Sequence, residues 1–435
     1  MNCQKPREIA IRLLNPRTAA EGFVEERLEL ELRQQPISGL DRRLVQELVY
    51  GVIRWRATLG WLERRKASRQ HCAPLVSNLL ALGLYQMFFL DRIPDHAAVN
   101  ETVELAREFG CPAQQAGFIN AILRAYSRER EQTRQALQTL KDTDPALGYS
   151  HPKWLVDAWT TRWGQYPTRA LLEWNNTPPK TFARLNTLRA TPAELQAEWT
   201  REGVTFAPLE RAWFPAGHVY ELTGHPPFAE LASMQAGHYY LQDPSTLLAV
   251  HLLDPQPGER ILDLCAAPGG KTTYIAQRME NRGHLLAQDL DNHRLAVLRE
   301  NLERLGVTCA TVARPGSAPA PELDAAFDRV LVDAPCSNTG VMRRRVELRW
   351  RLEPSELLRL EAGQLSLLRR AIRYVKPGGC LVYSTCSLEP GENLGLVKKL
   401  LAEFPAWQLE QHQELTPFKD GVDGAFVAVL RRGAA

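Results

Sequence analysis

From about residue 246 onward the chain follows one rhythm: a short apolar run, a cluster of turn residues, a helical stretch, then the same again. The runs are 260–264, 284–287, 329–332 and 380–383, each too short and too continuously apolar for a surface strand. Strands covered on both faces read as unbroken apolar runs, and intervening helices return the chain to the same edge. The rhythm therefore specifies an α/β fold with a doubly wound, mostly parallel sheet.

The first 140 residues have a different texture. Leu44, Val45, Leu48, Val49 and Val52 form a helical stripe, repeated by Val76, Leu79, Leu80, Gly83, Leu84 and Met87 and followed by Val99, Val103 and Ala106. An all-α domain is expected over 1–140, with these residues as its core. Pro, Gly and Asp interrupt the pattern at 142–153, so 141–165 is expected to be a linker and connecting helix. A small α+β domain is expected over 166–245. It has a strand over 182–188, a helix opened by a capping box at Thr191 and Glu194 and running to about Glu202, and short strands near Thr205 and over 218–222. The α/β domain occupies 246–435.

Several classes are excluded early. The apolar runs at 79–82 and 87–90 fall far short of the ~18 residues a membrane span needs, and the start MNCQKPREIA has no apolar core of a signal peptide. The 8 cysteines include no C-x-x-C pair and the 10 histidines no H-x-x-x-H, so no metal site is expected. Free thiols in an untargeted chain point to the cytoplasm. The net charge of +3 is uninformative, but basic residues concentrate at 54–69, where Trp55 and Trp61 are interleaved. Cations neutralise phosphates and aromatic rings stack on unpaired bases; a solvated helix face with two core tryptophans is the alternative.

Three strand ends carry chemistry. The first runs into Cys265-Ala266-Ala267-Pro268-Gly269-Gly270-Lys271-Thr272 and then a helix, a turn in which backbone and helix N-terminus meet a ligand. A phosphate-binding P-loop needs a glycine where Cys265 stands, and the G-x-G-x-x-G dinucleotide signature is absent. The first loop of a Rossmann-like methyltransferase fits better, with S-adenosylmethionine as cofactor. Asp289, closing the second strand, is placed to accept hydrogen bonds from both ribose hydroxyls; Asp291 reads as a helix N-cap. The other two ends carry Asp333-Ala-Pro-Cys336 and Ser384-Thr-Cys386-Ser387. Ligands of open α/β sheets bind outside the carboxyl ends of strands, so Asp333, Cys336 and Cys386 should converge with the glycine loop on one crevice.

These three motifs, in this order, resemble the Sun-type RNA cytosine-C5 methyltransferases, as do Gln242-Asp-Pro-Ser245 and Glu392-Asn393. The helical head, around Asp41-Arg-Arg-Leu-Val-Gln-Glu-Leu-Val-Tyr-Gly-Val-Ile-Arg54, resembles the NusB-type RNA-binding domain. The combination is the layout of a family of bacterial 16S rRNA methyltransferases. The resemblance implies that Cys386 is the nucleophile and Cys336 the residue assisting release. Asp333 would hold the N3 edge of the base and touch the cofactor, and Lys271 would steady the Cys386 thiolate. Cys265, Ala266, Ala267, Pro268, Gly269, Gly270, Lys271, Asp289 and Asp333 would bind S-adenosylmethionine. The implied partner is 16S rRNA, naked or in an early assembly intermediate, with a cytosine of the P-site hairpin loop as target. No DNA, no membrane and a monomeric state are expected.

Two departures stand out. Related enzymes carry an adenine-contacting acid after the third strand, where this chain has Pro315, with Glu322 and Asp324 further on. In the segment 343–351, which carries five arginines, relatives usually have a proline and histidine after the first two; it is expected to follow an RNA backbone, with a surface loop as the alternative. A catalytically idle RNA-binding or assembly protein is the competing class. A scaffold has no chemical need for Cys336, Cys386, Asp333 and Lys271 at strand ends.

Overall fold

The computed structural model describes residues 5–15, 22–34, 37–67, 72–315 and 321–433. Residues 68–71, with Arg69 of the basic cluster, and 316–320 lie outside them. The chain divides into two compact units. One comprises the residues up to Thr177 together with Arg343–Arg351, and the other comprises Pro178–Met342 and Leu352 onward. Among the described residues no helix is long and apolar enough to cross a membrane.

The first unit is helical. Val45, Leu48, Val49, Val52, Leu79, Leu80, Leu84, Met87, Val99, Val103 and Ala106 are buried in one core, as their spacing predicts. Gly83 lets two helices approach: a Cβ there would lie 2.8 Å from Leu123 Cδ1. Helices continue past the interruption at 142–153, as Lys153–Trp163 and Gln165–Asn176, within the same unit. The proline and glycine signals there mark turns between helices.

The 343–351 segment corrects the sequence expectation. It belongs to the helical unit, and Val346 joins that unit's core. Arg349 is fully buried; its guanidinium donates to Asn176 Oδ1 (2.9 Å), Asn175 O (2.9 Å), Ser150 O (3.2 Å) and Arg54 O (3.4 Å). Arg54 and Asn176 end their helices, so the cation sits where unpaired carbonyls and the negative end of the helix dipole converge. Arg343 is also buried, its guanidinium 3.9 Å from the centre of the Trp174 ring. Arg351 donates to Gly22 O at 2.7 Å and pairs with Glu347 at 3.0 Å. These arginines hold the helical unit together. Of the five, Arg345 is exposed.

The basic cluster at 54–66 divides in the same way. Arg54 is buried, Trp55 packs on Phe89 with ring centres 4.5 Å apart, and Lys66 pairs with Glu129 at 2.6 Å. Arg56, Arg64 and Arg65 are exposed.

The second unit holds two sheets. The smaller contains β1 (Thr181–Leu185), β2 (Thr205–Arg211), β3 (Phe214–Gly224) and β4 (Tyr239–Leu241), antiparallel in the order β2-β3-β1-β4. The capping box of Thr191 and Glu194 forms and opens the helix Pro192–Arg201. The larger contains β5 (Arg260–Asp263), β6 (His284–Gln288), β7 (Ala310–Ala313), β8 (Phe327–Asp333), β9 (Val375–Thr385), β10 (Trp407–Leu415) and β11 (Ala425–Arg432), in the order β10-β11-β9-β8-β5-β6-β7. Strands β5 to β9 pair in parallel; β11 runs antiparallel to β9, and β10 to β11. From β5 the chain winds outward to β6 and β7, then crosses to β8 on the other side. The strand order therefore reverses between β5 and β8, which opens a crevice at their carboxyl ends.

Candidate active site

The crevice gathers the predicted motifs. The chain leaves β5 at Asp263 and enters the helix Gly270–Arg278 through Gly269, whose φ of 108° is left-handed. A Cβ on Gly269 would also lie 2.7 Å from Leu298 Cδ1, so glycine is required by backbone and packing together. Ala266 and Ala267 are buried against Leu295, Leu298 and Leu302 of the helix Asn292–Arg304, and Asn301 Nδ2 donates to Pro268 O at 2.9 Å. Cys265 has its thiol pushed up to about 12 by burial, so it packs as a neutral group. Asp291 caps its helix, accepting from the Arg294 N–H at 3.0 Å.

Asp289, 5% exposed, closes β6 beside this loop. It accepts the Ala267 N–H at 3.2 Å and the Asp291 N–H at 3.2 Å, and Arg294 Nη1 lies 3.3 Å away. Asp263 is fully buried: Oδ2 accepts the Thr272 hydroxyl at 2.8 Å, while Oδ1 has no hydrogen-bond partner. Burial pushes its carboxyl up to about 7. A buried acceptor without a partner beside this loop fits a hydrogen-bond-donating ligand group.

Asp333, ending β8, accepts the Lys271 ammonium at 2.6 Å and the Ser384 hydroxyl at 2.7 Å. Burial opposes the charge on Lys271, but the Asp333 carboxylate outweighs it and holds the ammonium above its usual range. The Cys336 and Cys386 sulfurs are 3.3 Å apart, one beyond β8 and one beyond the adjacent β9. Cys386 donates to Asn338 Oδ1 at 3.0 Å, and Asn338 Nδ2 donates to Cys336 O at 2.7 Å. Hydrogen bonding to Cys386, burial and the nearby Glu392 charge hold the Cys336 thiol well above its ordinary range. All the predicted site residues thus lie in one unit, around one crevice.

Several contributors carry no recognisable motif. Arg184 on β1 is fully buried and donates to Gln242 Oε1 (2.6 Å), Gly270 O (2.7 Å) and Thr273 Oγ1 (2.9 Å), joining the small sheet to the glycine-loop helix. The sequence signal is a lone charge inside the apolar run Phe182-Ala-Arg-Leu185. Asn338 holds a left-handed φ of 57°, which asparagine tolerates. The acid after the third strand has no described replacement: Pro315 follows β7, and Asp324, preceding the start of β8, pairs with Arg373 at 2.8 Å.

The chain resembles known proteins over nearly its whole length. The family model for 16S rRNA methyltransferase RsmB/F matches residues 250–431, the NusB family model residues 4–128, and an RsmF/B-like ferredoxin-like domain model residues 151–214. The probable ribosomal RNA small subunit methyltransferase B of Synechocystis is 35% identical over 94% of this chain and 92% of its own length. That of Bacillus subtilis is 33% identical over 98% of each chain. The crystal structure of a methyltransferase homologue from Pyrococcus horikoshii, 31% identical, superposes with a TM-score of 0.58 over 66% of this chain and 98% of that one.

Proposed function

This chain belongs to the ribosomal RNA small subunit methyltransferase B family, and from that premise we propose that it methylates C5 of one cytosine in 16S rRNA through a covalent bond between Cys386 and C6. The observation that carries this reading is the pair of thiols 3.3 Å apart beside the Lys271–Asp333 ion pair.

S-adenosylmethionine supplies an electrophilic methyl group. Asp289 would accept its ribose hydroxyls, the 265–271 loop would cradle it, and the unpartnered Asp263 oxygen would suit its ammonium. The target base lies in a single-stranded loop or leaves its stack to enter the crevice. C5 of cytosine is a weak nucleophile. Addition of the Cys386 thiolate to C6 moves the C5=C6 electrons onto C5, which then takes the methyl group. Asp333 holds the N3 edge, and Lys271 keeps positive charge near the attacking sulfur. The C5 proton passes to a base, the C5–H electrons restore the double bond, and the C6–S bond breaks with its electrons returning to Cys386. Cys336 assists that release. The use of two cysteines favours RNA over DNA. The helical unit binds the rRNA, and the enzyme works as a monomer in the cytoplasm, on naked rRNA or an early assembly intermediate.

Tritium transfer from labelled S-adenosylmethionine to small-subunit rRNA, with tRNA and large-subunit rRNA as controls, tests the substrate. Digestion to nucleosides should place the label in 5-methylcytidine; label elsewhere overturns the C5 assignment.

A further inference from the structure

The two cysteine-bearing loops leave different strands, and one side chain joins them. Glu392 is fully buried. Its Oε1 accepts the Ser337 backbone N–H at 2.9 Å and Gln364 Nε2 at 2.8 Å. Its Oε2 accepts the Ser337 hydroxyl, and the Ser387 hydroxyl at 2.5 Å. Ser337 directly follows Cys336, and Ser387 directly follows Cys386. Gln364, on the helix Pro354–Tyr374, also donates to Pro335 O at 2.9 Å, and the Tyr383 hydroxyl on β9 donates to Glu392 O at 2.7 Å, so the clamp is anchored to a helix and to the sheet.

Every donor to this carboxylate is neutral. Burying a carboxylate without a cation costs its hydration, which charge-assisted hydrogen bonds offset only when they converge as these do. A loop that needed only closure would be closed by apolar packing without that cost. The expense falls at the one point where the spacing of two sulfurs is set.

We infer that Glu392 is a positioning residue, which acts through Ser337 and Ser387 to hold the Cys336 and Cys386 sulfurs within reach of a single base. The inference rests on the thiol roles proposed above. Its test reads the sulfur spacing directly, without RNA. Azodicarboxamide converts a juxtaposed pair of thiols to a disulfide, the two thiol hydrogens passing to the azo nitrogens, and peptide mapping identifies a Cys336–Cys386 link. In the full chain, Glu392→Ala should form this link at least tenfold more slowly than the unaltered protein. Its kcat for methyl transfer should fall at least tenfold, with KM for S-adenosylmethionine within twofold. Glu392→Gln, which keeps the shape, should recover part of both losses. The Ser337→Ala/Ser387→Ala pair should reproduce them, and decides the matter if Glu392→Ala does not fold. A link rate that is unchanged or faster overturns the inference, whatever happens to kcat. If Cys386→Ser retains methyl transfer, the covalent reading fails instead, while the link rate still measures what Glu392 holds.

Discussion

The loop carrying Cys336 and the segment Arg343–Arg351 lie seven residues apart in the chain, and both are dense in polar groups. They use them in opposite ways. Around Cys336 the reactive side chains pair with one another: thiol with thiol, Asn338 with Cys386, Asp333 with Lys271. Such partners can be exchanged for a ligand without dismantling the backbone. Around Arg349 the acceptors are three main-chain carbonyls and one amide oxygen, all fixed by helices or the turn between them. A cation held that way is architecture. The density of charge in a sequence therefore says little about function until the partners are known.

The contrast is sharpest in what each region loses on substitution. Cys386→Ser should lower methyl transfer by more than about 10³-fold, since a serine hydroxyl without a strong base is a poor nucleophile, and should leave stability nearly unchanged. Cys336→Ser should accumulate protein covalently bound to RNA, seen as a nuclease-sensitive band on denaturing gels. An adduct in Cys386→Ser and none in Cys336→Ser would reverse the two roles.

Asp263 puts the crevice under electrostatic strain from a buried acid. Its folded carboxyl is raised from 3.8 to about 7 by burial, so the native state binds the proton more tightly than the unfolded chain does. The stability this gives is complete below about pH 4 and is lost as pH rises through about 7, a change of up to about 4 kcal/mol. Urea midpoints at pH 5 and pH 8 should show roughly 2–3 kcal/mol of that decline in the unaltered protein and a smaller one in Asp263→Asn. Equal declines would mean the carboxyl is already ionised at pH 5.

Arg349→Met should do the reverse of Cys386→Ser. Stripping the donors from these buried acceptors should destabilise the helical unit by about 2–4 kcal/mol in urea unfolding, with the calorimetric affinity for S-adenosylmethionine unchanged. A variant of full stability would return the segment to the surface.

Asp289→Ala should weaken S-adenosylmethionine by about 1.5–3 kcal/mol for each charge-assisted hydrogen bond lost. Unchanged calorimetric affinity would remove Asp289 from the site. The smallest effect belongs to the exposed arginines. Neutralising Arg64 and Arg65 should flatten the log–log salt dependence of rRNA affinity by roughly 0.7–0.9 per phosphate contact. Lys66, paired with Glu129, should contribute less.

Much of the fold and site was legible because it is local. The capping box of Thr191, the N-cap of Asp291 and the left-handed Gly269 are each settled within a few residues by backbone sterics and hydrogen bonding. The apolar runs of the parallel strands and the helical stripes of the first unit follow from burial at a period the sequence displays. The antiparallel pair β10 and β11 was not anticipated. In β10 most residues are exposed and polar, as an edge strand requires, so it offers no apolar run to recognise.

By itself, then, the sequence determined which residues could do chemistry and at which strand ends they would sit, because spacing along a strand or a helix turn is a property of the local chain. Tertiary structure alone decided their neighbours. The reversal of strand order between β5 and β8 opened the crevice, and Glu392 bonds to two loops whose serines are 50 residues apart in the chain. The burial of Arg349 turned a basic segment from a surface into a core. Hydrogen bonds and desolvation act between groups that meet in space, and the energy of a buried charge depends on acceptors far away in sequence.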